Sequence, residues 1–318
     1  MATQDWALAA VVVTLLVAAT VIGQIVQRQP HLGLNAAAIA TFNRRVRTWW
    51  VICSLLAIAF FSRTATVVLF GARSFEALRE FITLTPTRRA DHRALFWVLC
   101  FFTPLQYVLV AFDKEDFYSI LIPVYAFLFI PARIALAGDF KRFLERVAKI
   151  QSGLLICVYC LSFAPALLYM EIPGVSDTDT SARARLLFFF VMLALLSEAF
   201  QFLWSRLYGR HVIAPSINAS RTWEGLMGSS ASTALAGMVF QWATPFPVWQ
   251  AAFMGMVIAV MGFAGAMTMS AIKRDRGVRD YGTLVEGHGG VLDRIDAICF
   301  ASPVFYHITQ QLIEAPQS

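Results

Sequence analysis

Residues 270–296 form a polar segment near the end of an otherwise apolar chain. Its basic residues are Lys273, Arg274, Arg276, Arg279 and Arg294, and its acidic residues are Asp275, Asp280, Glu286, Asp293 and Asp296. Guanidinium and ammonium groups stabilise the concentrated negative charge of phosphate oxygens. Glycines such as Gly289 and Gly290 let backbone N–H groups approach a phosphate without a Cβ in the way. These residue types indicate a phosphate-binding site.

Asp293 and Asp296 lie three residues apart, where a further helix is predicted to begin. On a helix this spacing places both carboxylates on one face. Mg²⁺ is usually held by one or two carboxylates together with the phosphate oxygens of a substrate. The pair therefore predicts Mg²⁺ binding and, together with the cations, phosphoryl or nucleotidyl transfer at a membrane surface.

The same segment resembles the signature of the phosphatidate cytidylyltransferases, also called CDP-diacylglycerol synthases. That signature runs Ser-x-x-Lys-Arg, four residues, Lys-Asp, a Gly-rich link and His-Gly-Gly-x-x-Asp-Arg-x-Asp. The matching residues are Ser270, Lys273, Arg274, Arg279 (where Lys is usual), Asp280, His288, Gly289, Gly290, Asp293, Arg294 and Asp296. The length and internal spacing of this match make it a specific signal.

The resemblance implies an enzyme that transfers CMP from CTP to phosphatidic acid, or to a related lipid phosphate, giving CDP-diacylglycerol and pyrophosphate. The catalytic residues that it implies are Asp293, Asp296, Lys273, Arg274, Asp280 and His288. The substrate-binding residues that it implies in this segment are Ser270, Arg279, Gly289, Gly290 and Arg294. It also implies Mg²⁺, with a second, monovalent ion as an open question. His288 would contact phosphate or protonate the leaving group; its alternative role is to cap the local backbone.

A second polar motif, residues 209–225, is similar to another segment of that family, Gly-Lys-x-x-x-Ala-Pro … Ser-Pro-x-Lys-Thr-x-x-Gly. Arg221 lies at the Lys position and Thr222 at the Thr position, so the resemblance implies that both residues bind substrate. Ser220 or Thr222 can cap a helix that enters the membrane. Arg221 beside that N-terminus would form an anion site for the substrate, because exposed N–H groups carry partial positive charge. The alternative is an ordinary basic cytoplasmic loop.

Glu198 is the one carboxylate in the apolar run 186–204. A charged group within hydrocarbon is energetically costly unless it faces a polar interior. The family usually has Asp at this position, which implies a polar cavity and a residue that orients metal or substrate. The alternatives are a structural partner for an arginine and a buried protonated acid.

The chain departs from the family at Gly265-Ala266, where members usually carry Gly-Asp and the Asp is a principal metal ligand. The loss predicts weaker Mg²⁺ binding, a metal left to Asp293, Asp296 and Glu198, or no turnover. A catalytically silent relative that binds lipid phosphate or nucleotide is therefore one alternative function. A transporter that uses the charged cavity is another.

The composition indicates a membrane protein. Of its 318 residues 58% are hydrophobic and 14% are charged, whereas soluble domains average about 25% charged residues. The net charge of +6 is spread over loops between apolar runs. This distribution suits basic cytoplasmic loops beside anionic lipid and argues against a nucleic-acid partner.

We predict an all-α, polytopic transmembrane bundle of about ten spans with its N-terminus outside. The predicted spans are 6–26, 49–61, 64–78, 94–112, 117–137, 150–170, 186–204, 225–243, 248–269 and 297–313. The runs on either side of Ser62-Arg63 are predicted to form a helical hairpin. The alternative is one long tilted helix, which would invert the topology of all that follows.

The basic loops place the signature on the cytoplasmic side of a multi-pass protein of the inner (cytoplasmic) membrane. Residues 1–149 are predicted to form N-terminal transmembrane helices, and residues 150–318 to form the catalytic-type region with its cytoplasmic loop. The expected partners are CTP, phosphatidic acid or a related lipid phosphate, and membrane lipid. The sequence is also compatible with a homodimer.

Overall fold

The structure is a computed structural model that describes residues 62–84, 88–175, 180–278 and 290–314. It also describes the earlier helical positions Thr14, Val17, Thr20, Val21, Gln24, Ile25 and Trp50. In the four continuous ranges the long helices are α1 (Arg63–Leu84), α2 (His92–Ala111), α3 (Glu115–Ala135), α4 (Phe143–Ala166), α5 (Thr180–Tyr208), α6 (Trp223–Val239), α7 (Val248–Asp275) and α8 (Leu292–Glu314). None of the described residues forms a β-strand, so the predicted all-α class is confirmed.

The helices α2, α3, α4, α5 and α7 are long and apolar enough to cross a membrane. The predicted polytopic membrane protein is thereby confirmed. Large apolar side chains such as Leu128, Leu235 and Val239 are exposed on the helices, which suits contact with lipid chains. The number of spans and the outside N-terminus remain predictions, since most of residues 1–61 lie outside the described ranges.

Helix α1 begins at Arg63, at the Ser62-Arg63 junction between two predicted apolar runs. The Ser62 hydroxyl oxygen accepts the N–H of Ala65 at 3.2 Å, as a residue preceding the first turn of a helix does. Residues 51–61 lie outside the part of the chain that the structure describes, so the hairpin remains a prediction. The predicted division into two regions at residues 149 and 150 falls within α4 and also remains a prediction.

Helix α8 lies between two groups of helices. On one side α5, α6 and α7 pack against one another, and α7 packs along α8. On the other side α8 packs against α4 and contacts α1. The Phe305 ring of α8 lies 4.9 Å from the Phe190 ring of α5, between ring centroids. The start of α8, which carries Asp293 and Asp296, is therefore positioned by both groups.

Glycines let α7 approach α8 and α5 at main-chain distance. A Cβ at Gly265 would lie 2.6 Å from the main-chain oxygen of Asp296. One at Gly262 would lie 3.2 Å from the Cβ of Ala297 and 3.5 Å from the hydroxyl oxygen of Ser197. Small residues permit this kind of close helix packing. Helices α5, α7 and α8 thus meet directly beside Asp296.

A buried ion pair joins the segment before α2 to the start of α4. The Arg146 guanidinium donates to the Asp91 carboxylate through Nε at 2.9 Å and through a terminal nitrogen at 2.5 Å. It also donates to the main-chain oxygens of Asp139 and Lys141, at 2.8 and 3.0 Å. The N–H of Arg88 donates to the second Asp91 oxygen at 3.0 Å. We call this group the Asp91–Arg146 cluster.

Candidate active site

The second motif forms a short, hydrogen-bonded loop between α5 and α6. The Ile213 N–H donates to the main-chain oxygen of Arg221 at 3.1 Å, and the Trp223 N–H donates to that of His211 at 3.0 Å. These bonds fix the backbone of Arg221 before α6 begins. The side chain of Arg221 is half-buried.

Thr222 caps α6. Its side-chain oxygen accepts the Gly225 N–H at 3.1 Å, and its hydroxyl donates to the Ser205 hydroxyl oxygen of α5 at 3.1 Å. Ser220, the other candidate cap, instead donates to the Asn218 side chain at 2.7 Å. The hydroxyl of Thr222 is therefore used within the protein, where it positions the loop beside Arg221.

Glu224, in the first turn of α6, adds negative charge at that N-terminus. Its carboxylate contacts the His211 Nδ1 at 2.5 Å and accepts the N–H groups of Arg210 and His211 at 3.2 Å each. The hydrogen bond with His211 and these main-chain bonds lower the pKa of Glu224 to about 2. A carboxylate already occupies the positive end of α6, so the anion site predicted here would depend on the Arg221 side chain.

The end of α7 holds the second motif in place. The Asn218 amide donates to the Ser270 hydroxyl oxygen at 3.1 Å, and the Ser270 hydroxyl donates to the main-chain oxygen of Ala266 at 2.7 Å. The exposed Arg274 donates through Nε to the main-chain oxygen of Ile217 at 3.1 Å. Ser270 and Arg274, both predicted from the signature, thus dock the loop against the helix.

An ion pair connects the last turn of α7 to the first turn of α8. The Lys273 ammonium lies 2.7 Å from a carboxylate oxygen of Asp293, and the two side chains are 16% and 23% exposed. The pair is only partly open to water, so it is screened less than a surface pair. It places one predicted cation and one predicted carboxylate of the signature side by side.

Asp296 lies one turn further along α8 and is buried, with 7% of its surface exposed. One carboxylate oxygen accepts the N–H of Ala297 at 2.7 Å. The carboxylate also interacts electrostatically with the like charges of Glu198 and Asp293 and with the opposite charge of Arg221. Charged groups from α5, the loop and α8 therefore act electrostatically on one buried carboxylate. We call Glu198, Arg221, Lys273, Asp293 and Asp296 the Asp296 cluster.

Two further predicted site residues lie at the start of α8, and four lie outside the described residues. Gly290 is buried just before α8, and Arg294 is exposed on the first turn of that helix. The others, Arg279, Asp280, His288 and Gly289, lie outside the described residues.

A family model described as the cytidylyltransferase family matches residues 42–312 of this chain. The chain belongs to the cytidylyltransferase family. The predicted family is thereby confirmed, and with it the class of CTP-dependent nucleotidyltransferase. The match extends from before α1 nearly to the end of α8, so it includes both groups of helices.

Three relatives illustrate the similarity. The "Uncharacterized protein YnbB" of Escherichia coli (strain K12) is 36% identical over 266 residues, which are 83% of this chain and 85% of that protein. The chloroplastic phosphatidate cytidylyltransferase 4 of Arabidopsis thaliana is 30% identical over 273 residues, 76% of this chain and 65% of that protein. The phosphatidate cytidylyltransferase of Synechocystis sp. (strain ATCC 27184 / PCC 6803 / Kazusa) is 31% identical over 125 residues, 36% of this chain and 43% of that protein. The chain thus spans less than two thirds of either of these two phosphatidate cytidylyltransferases.

The carboxylates of this cytidylyltransferase suit a metal that is shared with a phosphate. Among the residues that the structure describes, no three His, Cys, Asp or Glu side chains form a group that could hold a metal ion. Asp293 pairs with Lys273, whereas the buried Asp296 interacts electrostatically with the like charge of the half-buried Glu198. Two hard oxygen donors completed by phosphate oxygens are the usual environment of Mg²⁺. The donor set therefore fits Mg²⁺ that arrives with a nucleotide and does not fit a closed protein cage.

A row of polar residues along one face of α5 was not identified from the sequence. The buried Gln201 donates to the Ser205 hydroxyl oxygen at 3.2 Å and accepts from the Ser229 hydroxyl of α6 at 3.0 Å. With Glu198, these α5 residues recur at spacings of three and four, which place them on one helix face. This spacing is the sequence pattern from which the row could have been predicted. The row continues from the Asp296 cluster to the cap of α6 and ties both to one side of α5.

Proposed function

We propose that this cytidylyltransferase transfers CMP from CTP to phosphatidic acid, or to a related lipid phosphate, and releases pyrophosphate. The observation that carries the proposal is the Lys273–Asp293 ion pair, one turn before the buried Asp296, whose carboxylate also interacts electrostatically with Glu198 and Arg221. Three carboxylates and two cations at the junction of three helices suit a metal-bound triphosphate. The names of the Synechocystis and Arabidopsis relatives, both phosphatidate cytidylyltransferases, support this choice of substrates.

In the proposed reaction an oxygen of the lipid phosphate attacks the α-phosphorus of CTP. The bond from that phosphorus to the oxygen that bridges to the β-phosphate breaks, and pyrophosphate leaves with the bonding electron pair. The lipid phosphate is itself the nucleophile, so no side-chain nucleophile is required. The product is CDP-diacylglycerol when the acceptor is phosphatidic acid.

The residues of the Asp296 cluster take distinct roles in this proposal. Asp296 and Glu198 would hold Mg²⁺, which neutralises triphosphate charge when bound. Arg221 and Lys273 stabilise the negative charge that develops on the phosphate oxygens. Arg274, exposed beside the loop, keeps terminal guanidinium nitrogens available for a further phosphate contact while its Nε holds Ile217. Asp293 orients Lys273.

The proposed location is the inner membrane, with the Asp296 cluster facing the cytoplasm. CTP would reach the cluster from water, and the acyl chains of the acceptor would stay in the bilayer. The exposed apolar side chains of the spanning helices provide the surface that such chains contact.

The test uses the full-length protein in detergent with radiolabelled CTP, phosphatidic acid and Mg²⁺, and measures labelled CDP-lipid. Asp296→Asn should lower turnover by about a hundredfold or more, since it removes the negative charge of a carboxylate that would hold the phosphate-bound metal. The control is Asp116→Asn, at an exposed carboxylate in the first turn of α3. Near-normal turnover of Asp296→Asn would remove Asp296 from the reaction. A wild-type protein that makes no CDP-lipid would refute the proposed activity.

One observation supports a second candidate, a silent relative that binds CTP without turnover. Ala266, where the similar family signature has Asp, is 3% exposed and supplies no side-chain donor beside Gly265 and Asp296. Retained CTP binding without CDP-lipid would favour this candidate. Gain of turnover in Ala266→Asp would favour it further. The transporter alternative stays an untested hypothesis.

A further inference from the structure

The first turn of α8 is capped by a residue of α1, which is distant in the sequence. One carboxylate oxygen of Glu80, on α1, accepts the Val291 N–H at 2.9 Å, and the other accepts the Leu292 N–H at 3.0 Å. The first N–H groups of a helix have no partner within that helix, so they require an acceptor from outside. Here the acceptor stands 211 and 212 residues earlier in the sequence.

The two bonds constrain α8 more than a single cap would. Each oxygen of Glu80 engages a different N–H, so the carboxylate fixes both the position and the rotation of the first turn. Its negative charge also lies at the positive end of the helix, where it is stabilising. Asp293 is the next residue after this pair, and Asp296 lies one turn further on. The direction in which both aspartates point therefore depends on Glu80.

Helix α1 is a firm support for this cap. The Ser74 hydroxyl donates to the main-chain oxygen of Cys157 in α4 at 2.7 Å, and both groups are buried. Leu78, one turn beyond Ser74, is fully buried. Because α4 also packs against α8, α1 and α8 share a common neighbour. Movement of Glu80 relative to the first turn of α8 is restricted at both ends.

We infer that Glu80 is a positioning residue for the nucleotide site, which it acts on through the first turn of α8. The role of Glu80 in catalysis rests on the proposed function, whereas its role in holding the turn does not. Because the turn carries Asp293 and Asp296 towards the triphosphate, its loosening affects CTP more than the lipid acceptor. The N-terminal group of helices thereby contributes a residue on which the geometry of the site depends.

The variants that test this are Glu80→Gln, Glu80→Asp and Glu76→Gln, each in the full-length protein in detergent. Glutamine has one oxygen acceptor in place of two, whereas aspartate keeps both on a shorter side chain. Glu76 is the matched control, because it lies one turn earlier on α1, is half-exposed and pairs with Arg73 at 2.6 Å. The measurements are amide hydrogen exchange of residues 290–296, CTP affinity, and the separate KM values for CTP and phosphatidic acid.

In Glu80→Gln we expect exchange of the first turn of α8 to become roughly tenfold faster, as loss of a helix cap predicts. CTP affinity should fall and the KM for CTP should rise, while the KM for phosphatidic acid stays unchanged. Glu80→Asp should recover part of each effect. A merely structural role would lower the amount of active protein and kcat without separating the two KM values.

The inference is overturned if exchange of residues 290–296 and CTP affinity in Glu80→Gln match those of Glu76→Gln. It is equally overturned if both KM values stay at the wild-type level. If the wild-type protein makes no CDP-lipid, the proposed function fails, and exchange and CTP affinity then decide the role of Glu80 by themselves.

Discussion

The Asp91–Arg146 cluster and the Asp296 cluster contain similar charged residues but differ in how their charges are matched. Arg146 and Asp91 are 5% and 1% exposed, and the guanidinium is surrounded by the Asp91 carboxylate and two main-chain oxygens. In the other cluster, a buried Asp296 faces the like charges of Glu198 and Asp293. The first arrangement pairs its buried charges within the protein, whereas the Asp296 cluster has three carboxylates and two cations, Arg221 and Lys273.

The difference predicts that the Asp91–Arg146 cluster holds the fold and that the Asp296 cluster, as proposed above, binds a ligand. A buried charge that loses its protein partner is strongly destabilising. In the Asp296 cluster the carboxylates outnumber Arg221 and Lys273, so a further cation would relieve the repulsion between Asp296 and its acidic neighbours. Substitutions should therefore affect stability in the Asp91–Arg146 cluster and turnover in the Asp296 cluster.

The largest expected effect on stability is that of Asp91→Ala. It leaves the buried Arg146 guanidinium with only the partly exposed Asp139 carboxylate, which should lower the free energy of unfolding by about 3 kcal/mol. Asp296→Asn should leave the unfolding free energy unchanged or raised, since a repulsion is removed. The measurement is denaturant unfolding in detergent. Asp139→Ala is the control, because that carboxylate pairs with Arg146 at 3.2 Å but is 26% exposed. Equal losses in Asp91→Ala and Asp296→Asn would erase the distinction between the clusters.

Gly265→Ala tests whether the packing below the Asp296 cluster serves both stability and function. The added Cβ would lie 2.6 Å from the main-chain oxygen of Asp296, so α7 and α8 must separate. Overpacking of this kind should cost about 1–3 kcal/mol of unfolding free energy, and the displaced Asp296 should lower turnover as well. Met256→Leu, on the exposed face of α7, is the control and should change neither. Wild-type stability and turnover in Gly265→Ala would contradict the close approach.

The neighbouring residues Arg221 and Thr222 of the second motif should show the same difference between turnover and stability, with smaller effects. Thr222→Ala removes the cap of α6 and should lower the unfolding free energy by about 1 kcal/mol, while Thr222→Ser retains the cap. Arg221→Gln should leave stability near wild type and reduce CTP-dependent turnover. Thermal unfolding and the CDP-lipid assay together measure both effects. A stability loss in Arg221→Gln larger than in Thr222→Ala would reverse the assignment.

The smallest expected effect is a pH dependence at the start of α6. The pKa of Glu224 is lowered to about 2, chiefly by its hydrogen bond with His211. Its contribution to stability is therefore present above the unfolded pKa of about 4.3 and is lost as the pH falls towards 2. Denaturant unfolding at pH 6 and pH 3 should show a smaller loss on acidification in Glu224→Gln than in wild type. Identical losses in the two proteins would show that Glu224 is not the titrating group.

The positions of most helices followed from the sequence, but their ends did not. The predicted span 94–112 corresponds to His92–Ala111, and 117–137 corresponds to Glu115–Ala135. The span predicted from residue 150 begins as a helix at Phe143, because the charged Glu145 and Lys149 pair along the first turns of α4. Hydropathy marks where a helix enters hydrocarbon, whereas capping and side-chain pairs decide where the helix begins.

The site was predictable in its residue types and less so in its partners. The spacing of Asp293 and Asp296 indicated a shared face, yet Asp293 pairs with Lys273 while Asp296 interacts with Glu198 and Arg221. Such contacts arise from the packing of α5, α7 and α8, which local spacing does not encode. The same is true of the bonds from Asn218 to Ser270 that hold the second motif.

The main-chain approach of Gly265 to Asp296, with Gly262 against Ala297 and Ser197, gives the Asp296 cluster a solid floor. At these two positions the close contact leaves no room for an acyl chain between α7 and α8. In the reaction proposed above, a lipid acceptor would therefore come to the carboxylates around the helix ends, with its tails outside this three-helix junction. Nucleotide and lipid would then arrive by separate routes, one from the aqueous side and one along the flank of the bundle.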